Sequence, residues 1–342
     1  MSRVLIVGAG LTGSVCACLL GRELQSRVHI EVWDKARGAG GRMSTSRPPD
    51  PSSHSADLGA QYITATSAYA QSHHSVYSEL LSAGVLQPLT SPVEGLKHRD
   101  GNTDYMTPLG IGSLVKHFLS ESGADLFLER HVTGLYRRGA SWEVQRKTGD
   151  SQMFDAVVLT MPVPQILQLQ GDVGHMLSVP QKQQLDGVVY SSRFALALFF
   201  PPDVVFSFPW SARYVSDNRC IRYIAADARK RNADAPGRGP SLVVHTSVPF
   251  GVEHLEQDKE DVQPIILQEL NKLLPDLPQP ISIKCHKWRY SQVLTSVPDC
   301  PGHMTVLDSP PLVCAGDAFV HSNFDGCVES ALSVLRVLKD SL

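Results

Sequence analysis

The segment RVLIVGAGLTG at residues 3–13, with an acid 21 residues beyond Gly13, constrains the fold more than any other part of the chain. RVLIV reads as a strand of β-branched and apolar residues. Gly8-x-Gly10-x-Thr12-Gly13 reads as a tight turn opening a helix. In this pattern one glycine makes the turn, one lets backbone approach a pyrophosphate, and one lets the helix pack on the strand. The helix N-terminus then offers free N–H groups and a partial positive charge to the phosphates. A second strand, HIEVW, ends at Asp34, where a carboxylate would bond ribose hydroxyls. These features together predict a dinucleotide site. Residues 4–20 also have the outline of a secretory leader, with one preceding positive charge, an apolar run and small closing residues. Gly8, Gly10, Thr12, Gly13 and Ser14 interrupt that run, which favours the first reading. No uninterrupted apolar run reaches the ~20 residues of a membrane span.

Asp34 is followed by a second cluster, Gly38-x-Gly40-Gly41-Arg42-Met43-Ser44-Thr45. A nicotinamide dehydrogenase has no use for it. The glycines let a loop approach a cofactor, and the arginine neutralises phosphate. Near the other end, LVCAGD leads through Gly316-Asp317 to a helix beginning near Asp325-Gly326, and Asp155 to Pro162 (DAVVLTMP) reads as one more strand. Four landmarks in this order resemble flavoproteins of the amine-oxidase and related hydroxylase group. The resemblance implies FAD, with Asp317 accepting bonds from its ribityl or phosphate part. The helix after it points its dipole at the flavin carbonyl beside N1.

Helical periodicity is clear at Leu114, Val115, Phe118 and Leu119, and again at Val328, Ala331, Leu332, Leu335 and Leu338. Short strands are expected at Val4–Val7, His29–Trp33, Leu126–Leu128, Trp142–Gln145, Ala156–Thr160 and Leu312–Ala315. FALALFF (194–200), CIRYIAA (220–226), SLVVHTS (241–247) and ISIKCHKW (281–288) read as longer strands of a mostly antiparallel sheet. Pro/Gly/Ser-rich breaks fall at 47–55, 229–240 and 273–281. The expected fold class is α/β: a Rossmann-type FAD-binding domain of the p-hydroxybenzoate hydroxylase/amine oxidase kind, with an inserted, mostly antiparallel β-sheet substrate domain. The FAD domain is discontinuous (1–70, 105–170 and 290–342), and the substrate domain takes 71–104 and 171–289. The basic stretch 229–240 reads as a solvated loop, or else as a mobile lid or an anion-attracting rim.

The motifs VLIVGAGLTGS, VWDKARGAGGRMST, ADLGAQYIT, LTMPVPQILQLQGD, SSRFALALFF and SNFDGC resemble the renalase family, and they run over the whole chain. The resemblance implies FAD contacts at Gly8, Gly10, Thr12, Gly13, Asp34, Gly40, Gly41, Arg42, Gln61, Tyr62, Val132, Gly316, Asp317, Gly326 and Cys327. It implies oxidation of dihydronicotinamide dinucleotides reduced at ring carbon 2 or 6, giving NAD(P)+ and, with O2, hydrogen peroxide. An amine-oxidase activity is also attributed to the family. In amine oxidases an aromatic residue follows the glycine that opens the C-terminal helix, and it forms one wall of a cage. Here the pair is Gly326-Cys327. Covalent flavin would need a Cys-Tyr pair, but Cys300 is followed by Pro301, so noncovalent FAD is expected. A dihydropyridine gives up hydride with no proton to remove, so no acid or base residue is expected. Strand parity puts His245 with Val243 and Ser247, and Trp288 with His286, Lys284 and Ser282. Tyr62, His245 and Trp288 are the candidate walls of the substrate pocket. His54, His73 and His74 read as solvated and lack metal-ligand spacing, so no metal is expected.

A net charge of −3 does not suggest a nucleic-acid binder. Seven unclustered cysteines do not read as a disulfide framework, which points to the cytosol. The resemblance instead implies a secreted protein exported with its N-terminus uncleaved. No partner protein is expected. Two other functions stay open: oxidation of small amines such as catecholamines, and signalling by a secreted protein in which the flavin is structural.

Overall fold

The computed structural model describes all 342 residues. They form two compact units, one of Met1–Gly41, Leu114–Tyr190 and Val293–Leu342, the other of Arg42–Ser113 and Ser191–Gln292.

The first unit is built on a six-stranded sheet. In order across it run His303–Leu307, Leu312–Ala315, Ala156–Leu159, Ser2–Val7, Val28–Trp33 and Asp125–Phe127. All neighbours are parallel except the first pair. The inner strands are apolar along their whole length because both faces are covered; Val4, Leu5 and Ile6 are fully buried. Residues 4–20 are thus built into the middle of the sheet and the helix Leu11–Leu24. That helix packs against the last one, Phe324–Leu338. A Cβ at Gly21 would lie 2.2 Å from the Ser122 carbonyl oxygen, so this glycine allows close packing there. A smaller sheet of Ser151–Phe154, Ser141–Arg146, Val132–Arg138 and Gln170–Gly171 completes the unit. Trp33, Trp142 and Phe154 join the two sheets in one core.

The second unit has a six-stranded sheet in the order Ser282–Trp288, Arg193–Phe199, Ser241–Thr246, Ile221–Ala226, Ala212–Tyr214 and Val93–Glu94. It is antiparallel but for the last pair. Side-chain size alternates along it. Phe194, Leu196 and Leu198 point to one face and meet Val262, Ile266 and Leu270 of the helix Lys259–Leu273. Ala195 and Ala197 point to the other, with Ala212, Ala225 and Val243. Phe199 shares the alanine side, where Ala56, Leu58 and Tyr223 pack against the sheet.

The unit boundaries differ from those read in the sequence. Residues 42–70 and 105–113 cluster with the antiparallel sheet, because Ala56 and Leu58 pack onto its alanine face. Residues 171–190 cluster with the parallel sheet, since Val173, Leu185 and Val188 enter its core. The segment 229–240 is not a simple solvated loop. It begins within a helical turn, Asp227–Lys230, where Lys230 is fully buried and Arg231 nearly so. His54 and His73 are also buried, while His74 is exposed. All seven cysteines are free thiols.

Candidate functional site

In the first unit the strand Ser2–Val7 ends in a turn that only glycine allows. Gly8 has φ +113°, and a Cβ there would lie 2.5 Å from the Thr160 hydroxyl. That hydroxyl donates to the carbonyl of Val7 at 2.9 Å. A Cβ at Gly13 would stand 1.9 Å from the Gly8 carbonyl oxygen, so the third glycine is there for helix–strand contact. Gly10 differs: a Cβ there would meet no atom within 4 Å. It caps the helix Leu11–Leu24 in an extended conformation, with no side-chain cap. The space over Gly10, at the helix N-terminus, is therefore open, as a bound pyrophosphate requires. Thr12 lies in that first turn and is buried.

Asp34 follows the second strand. Its carboxylate accepts from the Ala9 and Ala36 N–H groups, each at 2.8 Å, which ties this acid to the glycine turn. Gly40 donates its N–H to the Ala9 carbonyl at 2.8 Å, and a Cβ at Gly41 would come within 3.6 Å of the Gly10 Cα. Both have positive φ, so the second glycine cluster folds back on the first. Gly316, at φ +131°, donates to the Ser330 hydroxyl at 2.9 Å. Asp317 is buried and accepts from the Ser322 hydroxyl. The helix Phe324–Leu338 opens with the Asn323 side chain accepting from the Gly326 N–H at 2.6 Å. A Cβ at Gly326 would strike the His321 carbonyl oxygen at 2.1 Å, so this glycine is required by the chain itself. Cys327 is half-buried. Val132 lies in the core between the sheets, leaving only its main chain for a ligand. These residues fit a flavin dinucleotide: the open space over Gly10, the N-terminus of the helix Leu11–Leu24 and Asp34 meet what its phosphates and ribose need.

In the second unit Arg42 is the middle residue of the turn Gly41–Met43. Its carbonyl accepts from the Ala60 N–H at 3.0 Å and lies 1.9 Å from where a Gly59 Cβ would stand. The DLGAQY segment is folded on itself by Gln61, whose amide donates to the carbonyls of Asp57 at 2.6 Å and Gly59 at 3.0 Å. Gln61 Oε1 accepts from Lys230 Nζ at 2.8 Å. Lys230 pairs with Asp227 at 2.8 Å, and Arg231 reaches the other Asp227 oxygen at 2.9 Å. Asp57 lies 3.9 Å from Lys230 and accepts from the Ile111 N–H. Burial works against the Asp227 carboxylate, but Lys230 and Arg231 outweigh it and hold its pKa below the usual range. Burial, then repulsion from Asp227, pushes Asp57 up to about 6.

Above the alanines lies a row of rings. Strand register sets Trp288 beside Arg193, His286 and His245 on either side of Ala195, and Tyr223 between His245 and Tyr214. Tyr62 and Tyr214 share a short hydroxyl–hydroxyl hydrogen bond. His245 Nε2–H and Trp288 Nε1–H both donate to the Leu58 carbonyl, each at 3.0 Å. Those donors hold the DLGAQY segment, so His245 and Trp288 present ring surface rather than free polar groups. Burial, then Arg193 and Lys230, pushes His245 down to about 4. Burial and Lys284 do the same to His286. Sequence reading named Tyr62, His245 and Trp288, and the structure brings them into this row of rings. It missed Tyr214, Tyr223, Arg193 and the Asp57–Asp227–Lys230 cluster. The alternation in FALALFF could have revealed the alanine face.

The fold and the cradle define a flavoprotein with a Rossmann-type nucleotide-binding unit. Residues 6–80 match the model of the NAD(P)-binding Rossmann-like domain, and residues 96–336 that of the flavin containing amine oxidoreductases. Among solved structures, a "Putative protoporphyrinogen oxidase" from Exiguobacterium sp. 255-15 superposes with a TM-score of 0.76 at 14% identity, covering 100% of this chain and 99% of that one. A Pyrococcus furiosus protein gives 0.63 at 13% identity, covering 98% and 97%. Both show the fold alone. Renalase from Mus musculus is 50% identical over 339 residues, 99% of each chain. The chain belongs to the renalase family of flavin-containing oxidoreductases. None of its helices is long and apolar enough to cross a membrane.

Proposed function

We propose that this chain binds FAD noncovalently and oxidises dihydronicotinamide dinucleotides reduced at ring carbon 2 or 6. When bound, the flavin would supply a hydride acceptor at N5, with O2 and a solvent proton accounting for hydrogen peroxide beside NAD(P)+. The observation that carries this reading is the ring-lined alanine face, whose two histidines, His245 and His286, are both pushed down to about 4 and so are weak bases. Asp227 is neutralised by Lys230 and Arg231. His245 is neutral at pH 7 and spends its Nε2–H on Leu58. A protonated amine would have to lose a proton before its C–H bond could break, and both histidines of this face are weak bases. A dihydropyridine needs none. It becomes an aromatic cation when hydride leaves, and it needs only orientation and exclusion of water.

In this reading Gly8 to Gly13, Asp34, Gly40, Gly41, Arg42, Asp317 and the start of Phe324–Leu338 hold the cofactor. Gln61 keeps the DLGAQY segment closed, and Tyr62, His245 and Trp288 form walls for the flat substrate ring. Secretion, implied by the family resemblance, would need export with the strand Ser2–Val7 retained. Anaerobic stopped-flow mixing tests the substrate. The 2- and 6-dihydro isomers of NAD(P) should bleach the flavin fast, and ordinary NADH and a catecholamine slowly. Fast bleaching by the catecholamine, with slow bleaching by the isomers, would overturn the reading in favour of amine oxidation.

A further inference from the structure

We propose that Arg193 and Arg222 form a phosphate-binding pair at the end of the ring-lined face and take a phosphoryl group of the nucleotide substrate, a role that presupposes the substrate class proposed above. Arg193 opens the strand Arg193–Phe199 opposite Trp288, and by parity it shares the face of Ala195 and Ala197. Its guanidinium has five N–H donors, yet it makes one bond, from Nη1 to the Thr246 carbonyl at 3.1 Å. It is partly buried and has no carboxylate partner. Its charged neighbour is another cation: burial and Arg222 both push its pKa down.

Arg222 reaches this place through a β-bulge. The ladder pairs Ile221 with Thr246 and Tyr223 with His245, so Arg222 is the extra residue between two successive pairs. A bulge re-aims a side chain and bends the strand. Arg222 is exposed, donates Nη1 to the Val215 carbonyl at 3.2 Å and has no carboxylate partner either. Its charge acts on Tyr214 as well as on Arg193, while the charge of Arg193 acts on His245. Both cations therefore border the row of rings. Asp104, the carboxylate that acts on Tyr62 and Tyr214, is engaged by the Thr64 hydroxyl. Two uncompensated like charges, one partly desolvated, are unfavourable until an anion binds. A phosphoryl group meets two guanidinium forks with charge and geometry matched. A protonated amine would be repelled by the same pair.

The test is a substrate-by-variant comparison on FAD-loaded protein with Arg193→Ala, Arg193→Lys and Arg222→Ala. The 6-dihydro forms of nicotinamide riboside, the mononucleotide, the dinucleotide and the 2′-phosphorylated dinucleotide are compared by anaerobic flavin bleaching. Both alanine variants should weaken binding of phosphate-bearing forms by about tenfold or more, leaving the riboside unchanged. Arg193→Lys should recover part of the loss. The first form in the series to show a loss identifies the phosphate: the 5′-phosphate, the rest of the diphosphate or the 2′-phosphate. Equal loss for the riboside would make the pair a support of the ring walls, and no loss anywhere would remove it from binding; either result overturns the proposal. Should no isomer reduce the wild-type flavin, the substrate class fails instead. Calorimetric titration with ADP-ribose and with inorganic pyrophosphate then reads the pair alone. Binding that is lost in the alanine variants keeps the anion site; absence of binding to wild type ends it. Exposed Arg222 can be replaced without loss of fold, so the comparison survives if Arg193→Ala does not fold.

Discussion

The nucleotide cradle and the ring-lined face are built by opposite means. The cradle is main chain: amides, carbonyls and glycines within a few residues of each other, positioned by the strand Ser2–Val7 and the helix Leu11–Leu24. The face is side chain: rings and charges drawn from five strands and from the DLGAQY segment, with Leu58 contributing one carbonyl that two donors share. A site made of backbone tolerates changes of side chain but no added Cβ. A site made of side chains depends instead on buried charges being satisfied.

Two neighbouring glycines offer the sharpest way to break this comparison. Gly13→Val should have the largest effect, because its Cβ would overlap the Gly8 carbonyl; we expect a loss above about 4 kcal/mol, seen as failure to fold. Gly10→Val should fold with near-normal circular dichroism and melting of the flavin-free protein, because its Cβ meets no protein atom. It should nonetheless purify without flavin, since the valine occupies the room for the phosphates. Full flavin content in Gly10→Val would show that the cofactor does not lie over that glycine.

On the side-chain face the next largest effect is expected at Lys230. Lys230→Met leaves Asp227 and Asp57 buried with one cation fewer and should cost about 3–5 kcal/mol in urea unfolding. Adding Asp227→Asn should recover part of it. A cost below about 1 kcal/mol would mean that water reaches the cluster.

Acid sensitivity is the smallest effect and should originate in the same unit. His245 and His286 titrate near 4 folded, against 6.5 unfolded. Below pH 6.5 the unfolded chain takes up protons that the folded chain refuses. Stability therefore falls from pH 6.5 to 4, by up to about 3 kcal/mol for His245 and less for the more exposed His286. Asp57 works in the other direction. It titrates near 6 folded and 3.8 unfolded, so it adds stability as pH falls through that window. Urea midpoints measured from pH 7 to 4 should decline, with a flatter decline in His245→Gln and a steeper one in Asp57→Asn. A decline unchanged in His245→Gln would place the acid-sensitive group elsewhere.

Legibility in the sequence follows the same division. The helices at 114–119 and 328–338 and the strands on either side of them read correctly because their apolar periodicity is local. The antiparallel strands from Phe194 to Trp288 were equally legible, within a residue or two at each end. Arg231 and Lys230 were not, because a basic run beside Pro and Gly looks solvated until Asp57, more than a hundred residues away, is seen to lie against it. His54 looked solvated for the same reason, since the carbonyl of Gly239 and its own burial come from a distant loop. Arg222 carries no sequence signal, because a bulge depends on how two strands register and not on the residue that bulges.

The sequence by itself determined the Rossmann-type strand, glycine turn and helix. Glycine spacing, the acid after the second strand and the second glycine cluster specify backbone conformations, and those are set by residues close in the chain. Only the tertiary structure decided which rings line the alanine face and which donors are spent on holding the DLGAQY segment. That choice depends on pairing between strands far apart in the chain, on a single shared carbonyl at Leu58 and on ion pairs whose burial no local pattern encodes.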